Sequence, residues 1–269
     1  MISVQFKPFA SCTLVLAILT ASVSAAPSLV TLQKRYASFD GFKKITNNAS
    51  LAWYKPYAPG VATAVVNSPP GYKCFKGANY PEFADWASFD TLWNINLPAI
   101  RSHNSAANNQ ILHKKIIQVG AQTKTDARII LAMIMQESSG NLAVPCTGYA
   151  NANCGIMQAS PGSISFDPAH PHSSIATMIR NGVLGTPGSW PAGGPGFAWL
   201  FDGADGEAWA GMGTPGGGHP FRALRAFNTG KVVDKADLDK TGGAGTVSYV
   251  NDVANRLLGW DGKVRGCGY

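Results

Sequence analysis

The chain has 269 residues, is 45% hydrophobic and 14% charged, and carries a formal net charge of +7. A chain of that size and content buries one large core or two small ones. No basic cluster interleaved with aromatics accompanies the charge, which argues against nucleic-acid binding.

In chain order, residues 1–26 carry Lys7 as their only charge, pass through the apolar run Thr13 to Leu19 and end in Val23-Ser24-Ala25-Ala26. This is the pattern of a secretory signal peptide, too short to span a membrane. Residues 27–35 read as a pro-segment closing on Lys34-Arg35, which resembles the processing site of kexin-type proteases; a solvated pair of charges is the alternative. Cleavage there leaves 234 residues and lowers the net charge from +7 to +4, because Lys7, Lys34 and Arg35 go and no acid does. Cys12 leaves with the leader, so Cys74, Cys146, Cys154 and Cys267 remain. An even number in a secreted chain reads as disulfides, with three connectivities open. We expect Cys146 to pair with Cys154 across a short loop and Cys74 with Cys267, tying the chain's start to its end. A metal site is disfavoured because no CxxC spacing occurs. Asn48-Ala49-Ser50 is an N-glycosylation acceptor sequence, which fits secretion.

Residues 36–100 form an aromatic-rich N-terminal extension in which Trp53, Tyr54, Tyr57, Tyr72, Tyr80, Trp86 and Trp93 are punctuated by prolines. It reads as irregular chain plus one short helix around Glu82 to Trp93. Residues 101–269 form the second unit. Leu112, Ile116 and Val119 recur at helical spacing within 108–122. After Thr123-Lys124-Thr125, Asp126 caps "ARIILAMIMQES", which is apolar on almost every face and should be central and buried, ending at Gly140 in the left-handed C-terminal position. Loops dominate 141–220, with a short helix in "HSSIATMIRNGV" and two Gly/Pro stretches, "GTPGSWPAGGPG" and "GMGTPGGGHP", that should hold no regular structure. Helices follow in "PFRALRAFN", opened by Pro220, and in "VSYVNDVANRLLGW". Strand signals are weak, so the fold class is mainly α.

Glu137 lies in the last turn of the buried helix, where the negative end of the macrodipole and the apolar walls both disfavour an ionised carboxylate. Its pKa should be raised, which suits a general acid working near neutral pH. Taken alone, a glutamate rotated out to solvent at a frayed helix end, or one accepting hydrogen bonds from neighbouring backbone, is the simpler account of the residue.

Around it stand four segments in order: Glu137-Ser138-Ser139-Gly140-Asn141, Gly155-Ile156-Met157-Gln158, Arg225-Ala226-Phe227-Asn228-Thr229-Gly230, and Tyr249-Val250. Together they resemble the motifs of the lytic transglycosylases related to goose-type lysozyme, glycoside hydrolase family 23, whose members show Glu-Ser, Gly-Leu-Met-Gln, Ala-Tyr-Asn-Ala-Gly and a late tyrosine. The resemblance spans roughly 108–260 and is closest to the fungal secreted branch. It implies a lysozyme-like (SLT or goose-type) helical domain with long Gly/Pro-rich loops. It further implies Glu137 as acid/base, Gly155 and Gln158 lining a sugar-binding cleft, Asn228 contacting substrate and Tyr249 hydrogen-bonding the glutamate. Ser138, Ile156 and Phe227 fall in the same motifs; so does Met157, which reads as core filler as well as ligand contact. Phe227 departs from the family's tyrosine, and Ile156 replaces leucine at equal volume.

The resemblance implies cleavage of the β-1,4 bond between muramic acid and glucosamine units of peptidoglycan, an encounter that a mildly basic protein favours. Glycosidases ordinarily use two carboxylates, yet no Asp or Glu occurs between Glu137 and Gln158, where Asn151 and Asn153 occupy the loop. A single carboxylate suits transglycosylation, with closure of a 1,6-anhydro ring. Asp167, Asp202, Asp205 and Glu207 keep hydrolysis open. Chitin or chitosan as the polymer, or a non-catalytic wall-binding protein, are the alternatives. His170 and His172 near Asp167 lack a third ligand, and no P-loop, GxGxxG or GxSxG is present. The expectation is a secreted monomer acting on polysaccharide, without cofactor, metal, nucleic acid or membrane.

Overall fold

The structure is a computed structural model that describes residues 41–59, 71–203 and 217–269. The expected signal peptide, the pro-segment with Lys34-Arg35, and most of "GMGTPGGGHP" lie outside the described residues. Eight α-helices occur among those described: α1 (Asn48–Leu51), α2 (Phe89–His103), α3 (Ala106–Thr123), α4 (Ala127–Ser138), α5 (Pro171–Leu184), α6 (Phe197–Asp202), α7 (Pro220–Thr229) and α8 (Tyr249–Leu257). The chain is mainly helical, as its periodicity predicts.

Helix α4 is the axis of the packing. Asp126 caps it by accepting from the Arg128 backbone N–H at 3.0 Å, and the Arg128 Nε closes on the same oxygen at 2.8 Å. Every residue from Ile129 to Met135 is buried, so the helix has no solvent face and is surrounded by α2, α3 and α8. Helix α3 turns Leu112, Ile116 and Val119 inward, and its outer flank receives α5. Helix α6 bridges α5 and α7, and α7 packs on α8. No helix among the described residues is long and apolar enough to cross a membrane.

The structure corrects the expectation of a short helix around Glu82 to Trp93. Only a 3-10 turn forms at Phe83–Asp85, and α2 then runs on through Pro98 to His103. A proline inside a helix removes one hydrogen bond and costs roughly 3 kcal/mol. Pro98 faces solvent, however, while Leu92, Trp93, Asn96 and Ile100 of the same helix are buried against the body, and that packing prevails. Position 100, where the extension was divided from the rest, therefore falls inside a continuous helix. The "GTPGSWPAGGPG" stretch also departs from expectation, because β1 (Gly185–Thr186) pairs antiparallel with β2 (Gly194–Pro195). Only glycines allow it: a Cβ on Gly196 would lie 2.2 Å from the Gly185 nitrogen.

The extension is fastened to α8 by side chains acting as backbone partners. Asn251 Oδ1 accepts from the Phe75 N–H at 2.7 Å, and Asn255 Oδ1 accepts from Lys73 N–H at 2.8 Å while its Nδ2 returns a bond to the Lys73 carbonyl at 2.8 Å. Tyr80 stacks on Phe221 of α7 with ring centroids 4.6 Å apart. Both expected disulfides are formed, Cys74–Cys267 with 193 residues of separation and Cys146–Cys154 with 8. Closing the longer loop restricts the unfolded chain far more. Replacing Cys74 and Cys267 by alanine should lower stability in urea titrations by about 2–5 kcal/mol, and by more than alanine at Cys146 and Cys154 does.

Candidate active site

Helix α4 ends one residue before the expected place. Its last helical residue is Ser138, and Ser139 takes the left-handed position with φ 55°, which costs a non-glycine residue about 1–2 kcal/mol. Gly140 follows with φ 78°; a Cβ there would approach Ile100 Cγ1 to 2.7 Å, so the glycine is what lets α2 close against the end of α4. Glu137 sits in this last turn, half-buried. Burial pushes its carboxyl pKa up to about 7, against which a hydrogen bond from Tyr249 acts in the opposite direction. The Tyr249 hydroxyl donates to Glu137 Oε1 at 2.6 Å. Tyr249 is itself 2% exposed, and burial, followed by the neighbouring glutamate, lifts its phenol well above the usual range. The pair therefore consists of a fixed donor and a carboxyl that holds its proton near neutrality.

Ser138 joins this helix end to the next motif. Its Oγ lies 3.0 Å from the Ile134 carbonyl and 2.9 Å from the Ile156 carbonyl, in reach of both as a donor. Gly155 has φ 77°, and a Cβ there would lie 2.6 Å from the Ile164 carbonyl oxygen, so this residue is packed inward. Ile156 and Met157 are fully buried, the methionine lying against Gly182. Gln158, 8% exposed with φ 43°, turns its amide back on its own loop. Its Nε2 donates to the Pro145 carbonyl at 3.2 Å and the Gly155 carbonyl at 2.9 Å, while its Oε1 accepts from the Thr147 hydroxyl. The amide thus frames the loop that Cys146–Cys154 closes.

Phe227 packs half-buried on the core. Asn228, also half-buried, lies on α7 beside the turn that precedes Tyr249: its Oδ1 accepts from the Thr246 N–H at 2.9 Å, and the Thr246 carbonyl accepts from the Tyr249 N–H at 3.2 Å. A residue that sequence reasoning missed stands behind both. Arg225 is fully buried and binds Asn228 Oδ1 together with the carbonyls of Leu238, Thr246 and Val247. The signal that marks it is a charge four residues after Phe221, on the buried stripe of an otherwise amphipathic helix.

The other carboxylates considered from the sequence are used elsewhere. Asp202 is buried and accepts from the backbone N–H groups of Thr46 and Asn47 at 2.8 and 2.7 Å. Asp167 is half-exposed and pairs with His170 Nδ1 at 2.8 Å. Asp205 and Glu207 lie outside the described residues. Among those described, no group of three His, Cys, Asp or Glu side chains is placed to hold a metal ion. A cleft of about 330 Å³ opens at the opposite end of α4, beside Tyr57, Trp86, Asp90 and Arg128. Its polar groups already pair with one another, Tyr57 with Asp90 at 3.0 Å and Arg128 with Asp126.

No protein-family model, curated protein or solved structure matches the chain.

Glu137 binds its proton more tightly in the folded protein than in the unfolded chain, where its pKa is near 4.5. Its contribution to stability is therefore fully present below pH 4.5 and is lost as pH rises through about 7. Glu137→Gln, which does not ionise, should match wild type at pH 4 and exceed it at pH 8 by about 2–3 kcal/mol in thermal or urea unfolding. Tyr249→Phe removes the bond that favours the ionised form, so the Glu137 carboxyl, followed by NMR titration, should move further upward.

Proposed function

We propose that this protein is a secreted, monomeric glycosidase that cleaves the β-1,4 bond between N-acetylmuramic acid and N-acetylglucosamine in peptidoglycan, on a lysozyme-like helical fold. The observation that carries the reading is the Glu137 carboxyl, raised by burial to about 7 and held by Tyr249 at 2.6 Å. It supplies what cleavage of an acetal requires, a proton available near neutrality at a fixed position. The ordered motifs around it, which resemble those of glycoside hydrolase family 23, give the substrate class, and the two disulfides accord with passage through an oxidising compartment.

In this reading Glu137 gives its proton to the glycosidic oxygen as the C1–O bond breaks, and the leaving sugar departs as an alcohol. The 6-hydroxyl of the muramic acid unit then attacks C1, and its proton passes to the Glu137 carboxylate, restoring the acid. The product is a 1,6-anhydro sugar and no water is consumed. Such a route needs no second carboxylate, which is consistent with Asp202 and Asp167 being engaged elsewhere. Tyr249 steadies the carboxylate form between the two proton transfers.

Mass spectrometry of fragments released from purified bacterial walls tests the reading. The expected fragments are lighter by one water than their hydrolytic counterparts; fragments of hydrolytic mass mean a muramidase, and soluble chitooligosaccharides without wall lysis mean a chitinase. Glu137→Gln should lower turnover by about 10²–10⁴-fold, and the wild-type rate should fall as pH rises through about 7, as the acid ionises. Wall binding with product formation unchanged in Glu137→Gln would leave a binding protein.

A further inference from the structure

Of all the asparagines in the sequence, Asn48 alone is followed two residues later by a serine or threonine, in Asn48-Ala49-Ser50. An acceptor of N-linked sugar needs its amide free, and it needs the hydroxyl at the third position, the feature that serine and threonine share. The fold treats these two groups oppositely. Asn48 opens α1 on the surface, and its side-chain amide has no hydrogen-bond partner among the described residues. The Ser50 hydroxyl is wholly buried: it donates to the Phe201 carbonyl near the end of α6 at 2.6 Å and accepts from the Gly218 N–H at 2.9 Å. The neighbouring backbone is pinned as well. The Asn47 side chain accepts from the Ala49 N–H at 2.9 Å, and the Asn47 N–H donates to Asp202 at 2.7 Å. A Cβ on Gly218 would lie 2.6 Å from the Ala49 Cβ, so the 217–218 turn lies directly on the triplet. In the folded protein the amide is offered while the hydroxyl that a transferase must read is withheld.

We propose that Asn48 carries an N-linked glycan, attached while the chain is being made and before α6 and the 217–218 turn close over Ser50. This rests on the secretion reading above and not on the glycosidase chemistry. The donor is an oligosaccharide on a lipid pyrophosphate. A bond forms between Asn48 Nδ2 and C1 of the first sugar as the bond from C1 to the pyrophosphate oxygen breaks. The lipid pyrophosphate leaves with that electron pair, and one amide proton passes to a base of the transferase. Chain order supplies the time. The partners of Ser50 lie 151 and 168 residues further along, so neither bond can exist until that length of chain has been made. At about 5–20 residues per second the nearer partner follows Ser50 by roughly 8–30 s, during which the hydroxyl has neither bond.

Two comparisons test the proposal. Protein from a eukaryotic secretory host is digested, and the peptide containing Asn48 is weighed before and after enzymatic release of N-linked glycans. Wild type should carry a glycan at Asn48, and a bare Asn48 in secreted protein overturns the assignment. Protein from a host without the transferase is then offered to purified oligosaccharyltransferase and its lipid donor, either folded and oxidised or reduced and unfolded. The unfolded chain should be modified and the folded chain should not; modification of both alike, or of neither, overturns the timing. A chain retained inside the host with residues 1–26 attached would defeat the secretion reading, and the second comparison would still decide whether the fold shuts the triplet. Asn48→Gln removes the acceptor alone, so in unglycosylated protein its urea midpoint should stay at the wild-type value. Ser50→Ala should abolish the glycan and also lower the midpoint, since the Gly218 N–H loses its short acceptor and the Phe201 carbonyl its buried donor. An unchanged midpoint for Ser50→Ala would show that the fold does not hold the hydroxyl. If that variant does not fold, the comparison of folded with unfolded wild type decides.

Discussion

A helix wrapped on every side by apolar side chains cannot end in a carboxyl group unless something polar meets it, and the bond from Tyr249 to Glu137 is that meeting. Helix α4 has no solvent face, so its C-terminal turn is where the interior gives way to water. The carboxyl sits on that boundary, half-buried, close enough to the apolar walls to hold its proton and close enough to the surface to be reached. Most of the surrounding construction keeps this boundary in place. Ser138 ties the helix end to Ile156, and Asn104 ties α2 to the same turn by donating to the Gly140 carbonyl at 2.7 Å.

The polar residues of α8 serve a second purpose. All nine of its residues are buried, including Asn251, Asp252, Asn255 and Arg256, a composition that would be prohibitive without partners. Asn251 and Asn255 take the backbone of residues 73–75, and Asp252 accepts from Tyr72, Gln136, Ser248 and Arg265. Gln136 is the residue before Glu137, so one network runs from the extension through α8 to the turn that carries Glu137. The aromatic-rich segment is thereby a wall of the body that carries the candidate site.

Local pattern accounts for much of what could be read beforehand. Leu112, Ile116 and Val119 occupy one stripe, Asp126 caps α4, and Pro220 opens α7, because each of these depends on residues within a turn or two of one another. What escaped depends on partners distant in the chain. The expected helix stops at Trp93, and only the buried face of α2 shows why it runs on through Pro98. Gln158 reads as a cleft amide until its left-handed backbone is seen to turn it onto Pro145 and Gly155. Asn251 and Asn255 carry no local signal of their role, which only residues 73–75, more than 170 positions away, reveal. Arg225 was hidden the same way, since its partners come from two later loops.

The two members of the central pair are separated by 112 residues. Contacts of such span carry the entropic cost of closing the intervening chain. The Tyr249 hydroxyl meets the Glu137 carboxyl only where α8 is docked against α4. The raised proton affinity of Glu137 is therefore a signature of the completed tertiary structure, which α4 alone does not supply.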